Sequence, residues 1–110
     1  MERFVKGNVV ILPFPFSDLS NSKKIPALVL ADLNGNDIIL CQITSQSTKD
    51  NFSILLDSGD FESGSLPVVS FIRPNRIFTA DKNIIIKKVG KVTDKKLLNV
   101  FNILNDLFSF

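Results

Sequence analysis

SKKIPALVLADLNGNDIILCQITSQS, residues 22–47, places two apolar runs on either side of the polar segment Asn34-Gly35-Asn36. Asparagine and glycine tolerate the positive φ angles of tight turns, so this segment predicts a reversal of the chain. The apolar runs at 27–30 and 38–41 do not alternate between apolar and polar residues, which indicates that both faces of each strand are covered. The stretch therefore predicts an antiparallel β-hairpin within a larger sheet.

Other short apolar segments supply further strands. Runs rich in Val, Ile, Leu and Phe predict strands at residues 8–12, 52–56, 66–72 and 83–92. The segment 57–65, DSGDFESGS, is rich in Gly, Ser and Asp and predicts a loop. The chain is thus expected to contain at least five short strands.

In the last segment of the chain, the apolar residues recur with the period of a helix. From Leu97 onward, apolar residues recur at spacings of three and four, which predicts an amphipathic helix that packs on the sheet and buries Phe101 and Phe108. Thr93 or Asp94 precedes this run and is expected to be the N-cap. The expected fold is mainly β, a small curled antiparallel sheet or barrel with a C-terminal helix, in one domain at residues 1–110.

The composition is that of a folded protein. Of the 110 residues, 45% are hydrophobic and 22% are charged, values that argue against disorder. No apolar run approaches the roughly 20 residues of a membrane-spanning helix, and the N-terminal segment MERFVKGNVVILPFPF lacks the cleavage pattern of a signal peptide. We therefore expect a cytoplasmic protein with no membrane partner.

The absence of histidine limits the chemistry most. The chain has no His and a single Cys, Cys41, so it can form no internal disulfide and no zinc site of Cys and His ligands. Nucleophilic schemes that depend on a Ser–His or Cys–His pair are excluded as well. Cys41 lies within an apolar run and is expected to be a small buried hydrophobic residue. Catalysis would have to use Lys, Arg, carboxylate, hydroxyl or backbone groups, and we expect neither a metal nor a cofactor.

Charge is unevenly distributed along the chain. The net charge is +2, but residues 71–110 carry eight basic and three acidic side chains. This basic segment could bind phosphates, although an excess of charged residues more commonly reflects a solvated polar surface. Asp57, Asp60 and Glu62 are close in sequence, but their spacing fits no metal-binding loop and is typical of a solvated turn.

The two open ends of the hairpin carry the candidate site. In an antiparallel hairpin, the start of the first strand lies beside the end of the second. Cationic, hydroxyl and amide side chains are therefore expected to converge there: Lys23, Lys24, Thr44, Ser45, Gln46 and Ser47. Such a group can bind phosphate, but an ordinary solvated strand end has the same composition. The residues alone leave both interpretations open.

Three motifs in this order resemble the MazF/PemK family of toxin–antitoxin toxins. They are GNVVILPFPF at 7–16, PALVL at 26–30 and ITSQS at 43–47, and the likeness runs from about Gly7 to Leu107. The resemblance implies an SH3-like barrel with a C-terminal helix, a homodimer, and inhibition by an antitoxin whose tail lies in the RNA groove. Active members of the family are metal-independent endoribonucleases, in which the 2′-hydroxyl attacks the adjacent phosphate and leaves a 2′,3′-cyclic phosphate and a 5′-hydroxyl.

The resemblance also implies roles for residues at the hairpin ends. In the family, a threonine at the end of the second hairpin strand and an arginine just before the proline of the PALVL-like motif carry most of the catalysis. The threonine corresponds to Thr44, but Ile25 occupies the arginine position and can neither donate to phosphate nor move a proton. Lys24 is therefore predicted to serve the scissile phosphate together with Thr44. The predicted RNA-binding residues are Asn21, Lys23, Ser45, Gln46, Ser47 and Arg73.

Ile25 keeps three functions open. The first is a cytoplasmic bacterial or archaeal toxin that cleaves single-stranded RNA by 2′-hydroxyl attack and is bound by a cognate antitoxin. The second is a catalytically silent family member that acts by binding antitoxin, RNA or protein. The third is a toxin of the same barrel that binds a protein target such as DNA gyrase.

Overall fold

The fold is a curled antiparallel sheet, a half-barrel, followed by one helix. The computed structural model describes residues 3–14, 23–47 and 50–110. Its strands are Asn8–Pro13 (β1), Lys24–Asp32 (β2), Asp37–Thr44 (β3), Ile54–Leu56 (β4), Phe61–Gly64 (β5), Ser70–Asp81 (β6) and Lys87–Val92 (β7), and its helix is Asp94–Phe108 (α1). The strand order across the sheet is β4-β6-β3-β2-β1-β7-β5. The fold class predicted from the sequence is confirmed.

The predicted hairpin is formed by β2 and β3. Across this ladder Leu28 pairs with Cys41, and Asp32 pairs with Ile38. In the turn, Asn34 has a φ of 63°, and its N–H donates to the Asp32 carboxylate at 2.9 Å. Asn34 thus adopts the left-handed backbone conformation, which asparagine tolerates better than most residues do.

Apolar side chains cover both faces of the central strands. Leu28 and Leu30 belong to a cluster that includes Val100 and Leu104 of α1. Ala27 and Val29 point to the opposite face, into a second cluster that includes Leu12, Leu40 and Phe78. A strand buried on both faces has a continuous apolar sequence, which explains why residues 27–30 show no alternation.

The C-terminal helix begins as predicted but buries less of its surface than predicted. Thr93 is the N-cap, and its hydroxyl accepts the Lys96 N–H at 3.2 Å. The buried helix residues are Val100 and Leu104. The prediction that Phe108 is buried was wrong, since 70% of it is exposed. The packed part of the helix ends near Leu104, one turn before Phe108.

No helix in residues 3–14, 23–47 or 50–110 has the length and apolar character needed to span a membrane.

Three predicted segments have other boundaries in the structure. The predicted loop at 57–65 contains a 3-10 helix, Ser58–Asp60, and the edge strand β5. The strand predicted at 66–72 begins only at Ser70 and continues to Asp81, and the strand predicted at 83–92 begins at Lys87. β5 was missed because it pairs with β7 through backbone groups and needs few apolar side chains. β6 was cut short because a proline normally ends a strand, whereas here Pro74 lies in a bulge.

Gly64 holds β5 against β7 where no other residue fits. Its φ is 69°, and a Cβ at this position would overlap the Val89 carbonyl oxygen. Gly64→Ala is therefore expected to lower the free energy of unfolding by about 2 kcal/mol or more, with a fall in melting temperature of roughly 10 °C. Thermal unfolding followed by circular dichroism measures the effect. Gly35→Ala is the control, since a Cβ at Gly35 meets no atom within 4 Å. Equal melting temperatures for the two variants would contradict this account of the edge.

Candidate functional site

A polar cavity lies at the open ends of β2 and β3. Its volume is about 360 Å³. Its lining consists of Phe14, Lys23, Lys24, Ile25, Pro26, Gln42, Ile43, Thr44, Ser45 and Gln46. The structure thus brings together five of the eight residues predicted to form the site. No carboxylate lines the cavity among the residues that the structure describes.

Regular pairing of β1 with β2 fixes the position of the β2 end, where Lys23 and Lys24 line the cavity. Pro13 pairs with Lys24 and Leu12 with Ile25, without a shift of register in this part of the ladder. Beyond the last pair, the Phe14 N–H donates to the Lys23 carbonyl oxygen at 2.7 Å. Because neighbouring residues of a strand face opposite sides of the sheet, Lys24 cannot occupy the position of Ile25 without a slip of one residue. The ladder between β1 and β2 contains no such slip at these two residues.

Thr44 is the last residue of β3, and its hydroxyl has a defined orientation. Its backbone pairs with Phe71 of β6, which anchors the strand end. Its Oγ1 accepts the Gln46 N–H at 3.2 Å, a local turn that serine and threonine favour after a strand. Since Oγ1 accepts this hydrogen bond through a lone pair, the O–H of Thr44 remains available to donate a hydrogen bond to a ligand in the cavity.

Ile25 is half-buried and belongs both to the cavity wall and to the core. It packs against the apolar cluster that includes Leu12 and Phe78. The apolar side chain therefore contributes to packing at the position where the family resemblance places an arginine. Lys24 is exposed, so its ammonium group is accessible to a ligand in the cavity.

Arg73 is held by a carboxylate and does not line the cavity. Its Nη2 lies 2.9 Å from an Asp50 carboxylate oxygen, and its backbone pairs with Gln42. Asp50 also accepts the N–H groups of Phe52 and Ser53, at 3.0 Å each. The Nε of Arg73 is buried and has no partner among the described residues. The ion pair ties the segment after β3 to β6, two residues along β6 from Phe71, the partner of Thr44.

The Asp50–Arg73 pair predicts a loss of stability in acid. The Arg73 guanidinium, followed by the Phe52 N–H and Ser53, lowers the pKa of the Asp50 carboxyl from its ordinary 3.8 to about 2. Between these two values the unfolded chain binds more protons than the folded one, so the contribution of Asp50 is complete above about pH 5 and is lost as the pH falls towards 2. Asp50→Asn should lack this component, because its amide keeps the turn but not the charge.

The measurement is the free energy of unfolding from urea titrations at several pH values. We expect the difference between the native protein and Asp50→Asn to be largest above pH 5 and to shrink towards pH 2. Asp106→Asn is the control, since the Asp106 carboxylate makes no ion pair within residues 3–14, 23–47 and 50–110. A pH-independent difference for Asp50→Asn would contradict the assigned role of the pair.

Of the predicted residues, Ser47 and Arg73 do not line the cavity, and some lining residues, Phe14 and Gln42 among them, were not predicted. Ser47 is exposed and is not part of the lining, and Asn21 lies outside the described residues. Phe14 and Gln42 were not predicted as site residues. Phe14 follows the proline that ends β1, so its position depends on the fold and carries no local signal. Gln42 is the one polar residue between Ile38 and Ile43, which was a usable signal.

Other reactive groups of the chain have structural roles. Cys41 is buried as predicted, and burial raises the pKa of its thiol to about 12. Asp57 and Asp60 form a reciprocal capping box at the 3-10 helix Ser58–Asp60, which confirms that they form a structural turn. No group of three or more Cys, Asp and Glu side chains in the described part of the chain could hold a metal ion.

Comparison with known proteins identifies the family. The family of PemK-like, MazF-like toxins of type II toxin–antitoxin systems matches residues 5–108. A comparison with curated protein sequences gives no significant match.

Solved structures share the fold at low sequence identity. An endoribonuclease in complex with its cognate antitoxin, from a mycobacterial species, has a TM-score of 0.77 and 13% identity, over 98% of this chain and 99% of that chain. MazF in a MazE–MazF complex from Deinococcus radiodurans has a TM-score of 0.75 and 20% identity, over 93% and 92%. The Mycobacterium tuberculosis toxin MazF-mt6 has a TM-score of 0.72 and 12% identity, over 92% and 95%. With a family match over nearly its whole length, this chain belongs to the PemK-like, MazF-like toxins of type II toxin–antitoxin systems.

Proposed function

We propose that this toxin is a metal-independent endoribonuclease that cleaves single-stranded RNA. The observation that carries the proposal is the cavity at the ends of β2 and β3, where Lys23, Lys24, Thr44, Ser45 and Gln46 meet with no described carboxylate among them. Two ammonium groups with hydroxyl and amide donors suit a phosphodiester, which carries negative charge. The name of one of the similar structures, an endoribonuclease in complex with its cognate antitoxin, supports the same activity.

The proposed reaction is an internal transfer of the phosphate. The O2′ atom forms a bond to phosphorus, and the bond from phosphorus to O5′ breaks. The proton of the 2′-hydroxyl passes to water, and the Lys24 ammonium donates a proton to the departing O5′. The Thr44 hydroxyl donates to a non-bridging oxygen, where negative charge develops. The products are a 2′,3′-cyclic phosphate and a 5′-hydroxyl.

The remaining cavity residues bind the substrate. Lys23 attracts the flanking phosphate, and Ser45 and Gln46 contribute hydroxyl and amide groups next to Thr44. Unpaired RNA is the expected substrate, because its bases can turn away from each other and enter a narrow site. Asn21 and Ser47 are proposed as further residues that contact the RNA. Arg73 supports the site indirectly, since its guanidinium binds Asp50 and does not line the cavity.

The proposed partners are a cognate antitoxin and a second copy of the chain in a cytoplasmic toxin–antitoxin system. The antitoxin complexes among the similar structures support the first. Sedimentation velocity at micromolar concentration tests the second, and a species of only 12.2 kDa would contradict it.

Ile25 favours a second candidate function. A catalytically silent toxin would keep the fold and the cavity but act through antitoxin, RNA or protein binding. The apolar side chain at the wall of the cavity is the observation behind this candidate.

Digestion of a long single-stranded RNA in EDTA distinguishes the two. We expect the native protein to cleave it and to leave ends that are resistant to ligation until the cyclic phosphate is removed. RNA that stays intact both with and without EDTA, at protein concentrations equal to the RNA, would favour the silent toxin. Cleavage that disappears in EDTA would contradict the metal-independent mechanism.

A further inference from the structure

A second cavity adjoins the first and shares part of its wall. Its volume is about 270 Å³. Its lining consists of Phe14, Gln42, Asn75, Arg76, Ile77 and Phe78. Because Phe14 and Gln42 also line the cavity that contains Thr44, a chain molecule lying in one cavity can continue into the other.

A bulge in β6 creates the second cavity. Ile77 pairs with Cys41 of β3, but the next residue of β3, Gln42, pairs with Arg73. The three residues between them on β6, Pro74 to Arg76, therefore face no partner on β3. Pro74 is buried and fixes the bulge, whereas Asn75 and Arg76 are exposed. Such bulges redirect side chains, and here they bring an amide and a guanidinium to the side of the site.

The chemistry of this lining suits a nucleotide. The half-buried Phe14 offers aromatic carbon, on which a base can pack, whereas Phe78 is only 6% exposed and forms an apolar part of the wall. The Asn75 amide can donate and accept hydrogen bonds at a base edge, and the Arg76 guanidinium can bind a phosphate with two parallel hydrogen bonds. The volume is slightly below the roughly 300 Å³ at which pockets for drug-sized ligands begin, so it suits one base.

The charge of the two cavities is of one sign. Their described linings contain Lys23, Lys24 and Arg76 and no carboxylate. None of these three cations forms an ion pair within the described ranges. Three positive charges with no ion-pair partner among the described residues attract a polyanion better than they attract a protein segment of mixed charge.

We propose that the second cavity binds the nucleotide next to the scissile phosphate of the RNA. Asn75 contacts the edge of its base and so determines sequence preference, and Arg76 binds its outer phosphate. This assignment rests on the proposed function, because it takes the scissile phosphate to lie beside Thr44. It makes the bulge of β6 the specificity-determining element of this chain.

The test measures RNA binding separately from cleavage. Four homopolymeric 2′-O-methyl oligonucleotides, one for each base, cannot undergo 2′-hydroxyl attack, and their binding is followed by fluorescence anisotropy. We expect Asn75→Ala to reduce the preference of the native protein among the four bases by about tenfold. Arg76→Ala should weaken binding of all four by about fivefold, and Arg76→Lys should do so less. The controls Asn99→Ala and Arg3→Ala remove an exposed amide and an exposed cation outside both cavities.

The outcomes separate this inference from the proposed function. Native-like binding and preference in both Asn75→Ala and Arg76→Ala would overturn the inference, even if the native protein cleaves RNA. Loss of antitoxin binding in these variants with unchanged RNA binding would also overturn it, by assigning the cavity to a protein. If the variants show the expected changes in binding but the native protein cleaves no RNA, the inference is supported and the proposed nuclease function is contradicted. Absence of RNA binding by the native protein would overturn both.

Discussion

Ile25→Arg is expected to raise the rate of RNA cleavage by about a hundred- to a thousandfold over the native protein. One preorganised charged donor at a developing anion contributes a factor of this order. Ile25 lines the same cavity as Lys24 and Thr44, and it is half-buried at a strand end. An arginine there can keep its methylene groups on the core and extend its guanidinium to the cavity. The gain is measured as the initial rate of cleavage of one RNA in EDTA.

A matched control separates catalysis from added charge. Ile85 is also half-buried and packs against the same apolar cluster as Ile25, but it does not line the cavity. Ile85→Arg should therefore leave the cleavage rate within a few-fold of native. Both variants should melt at a lower temperature than the native protein, since each loses apolar packing. A folded Ile25→Arg protein with no gain in rate, or an equal gain in Ile85→Arg, would contradict the assigned geometry.

Thr44→Ala is expected to reduce cleavage by about a hundredfold or more. The variant removes the hydroxyl that would donate to the non-bridging phosphate oxygen. Its effect on stability should be small, about 1 kcal/mol, because Thr44 is partly exposed and loses one hydrogen bond from the Gln46 N–H. The rate is measured with the same RNA, and the unfolding free energy is measured in parallel.

Thr79→Ala is the matched control for this variant. Thr79 lies in β6, is exposed, and pairs with Ile39 at a distance from the cavity. We expect a native rate in Thr79→Ala. If Thr44→Ala keeps the native rate, Thr44 has no part in the reaction, and the phosphate lies elsewhere.

The central part of the fold was predictable because its signals are local. The hairpin β2–β3 combines continuous apolar runs with a turn that suits asparagine and glycine, and the N-cap Thr93 directly precedes the helix. The edges were not predictable in this way. β5 depends on close backbone contact between Gly64 and the strand around Gly90, and this contact joins residues that are distant in sequence.

The parts of the candidate site that result from pairing of neighbouring strands were predicted. The parts that depend on contacts between residues distant in sequence were missed. Lys24 and Thr44 share a cavity because antiparallel pairing brings the two strand ends together. The ion pair between Arg73 and Asp50 joins residues separated by 23 positions, so no local pattern indicates it. The bulge at Pro74 to Arg76 is visible only as a shift in the register of β3 and β6.

The central claim is that the cavity at the ends of β2 and β3 holds the RNA. The most direct test is a nuclear magnetic resonance titration of the 15N-labelled protein with a single-stranded 2′-O-methyl RNA, which binds without being cleaved. Our account predicts that the backbone amide signals of Thr44, Ser45 and Gln46 shift, while those of β7 remain in place. Shifts confined to β7, which carries Lys87, Lys88 and Lys91, would contradict it.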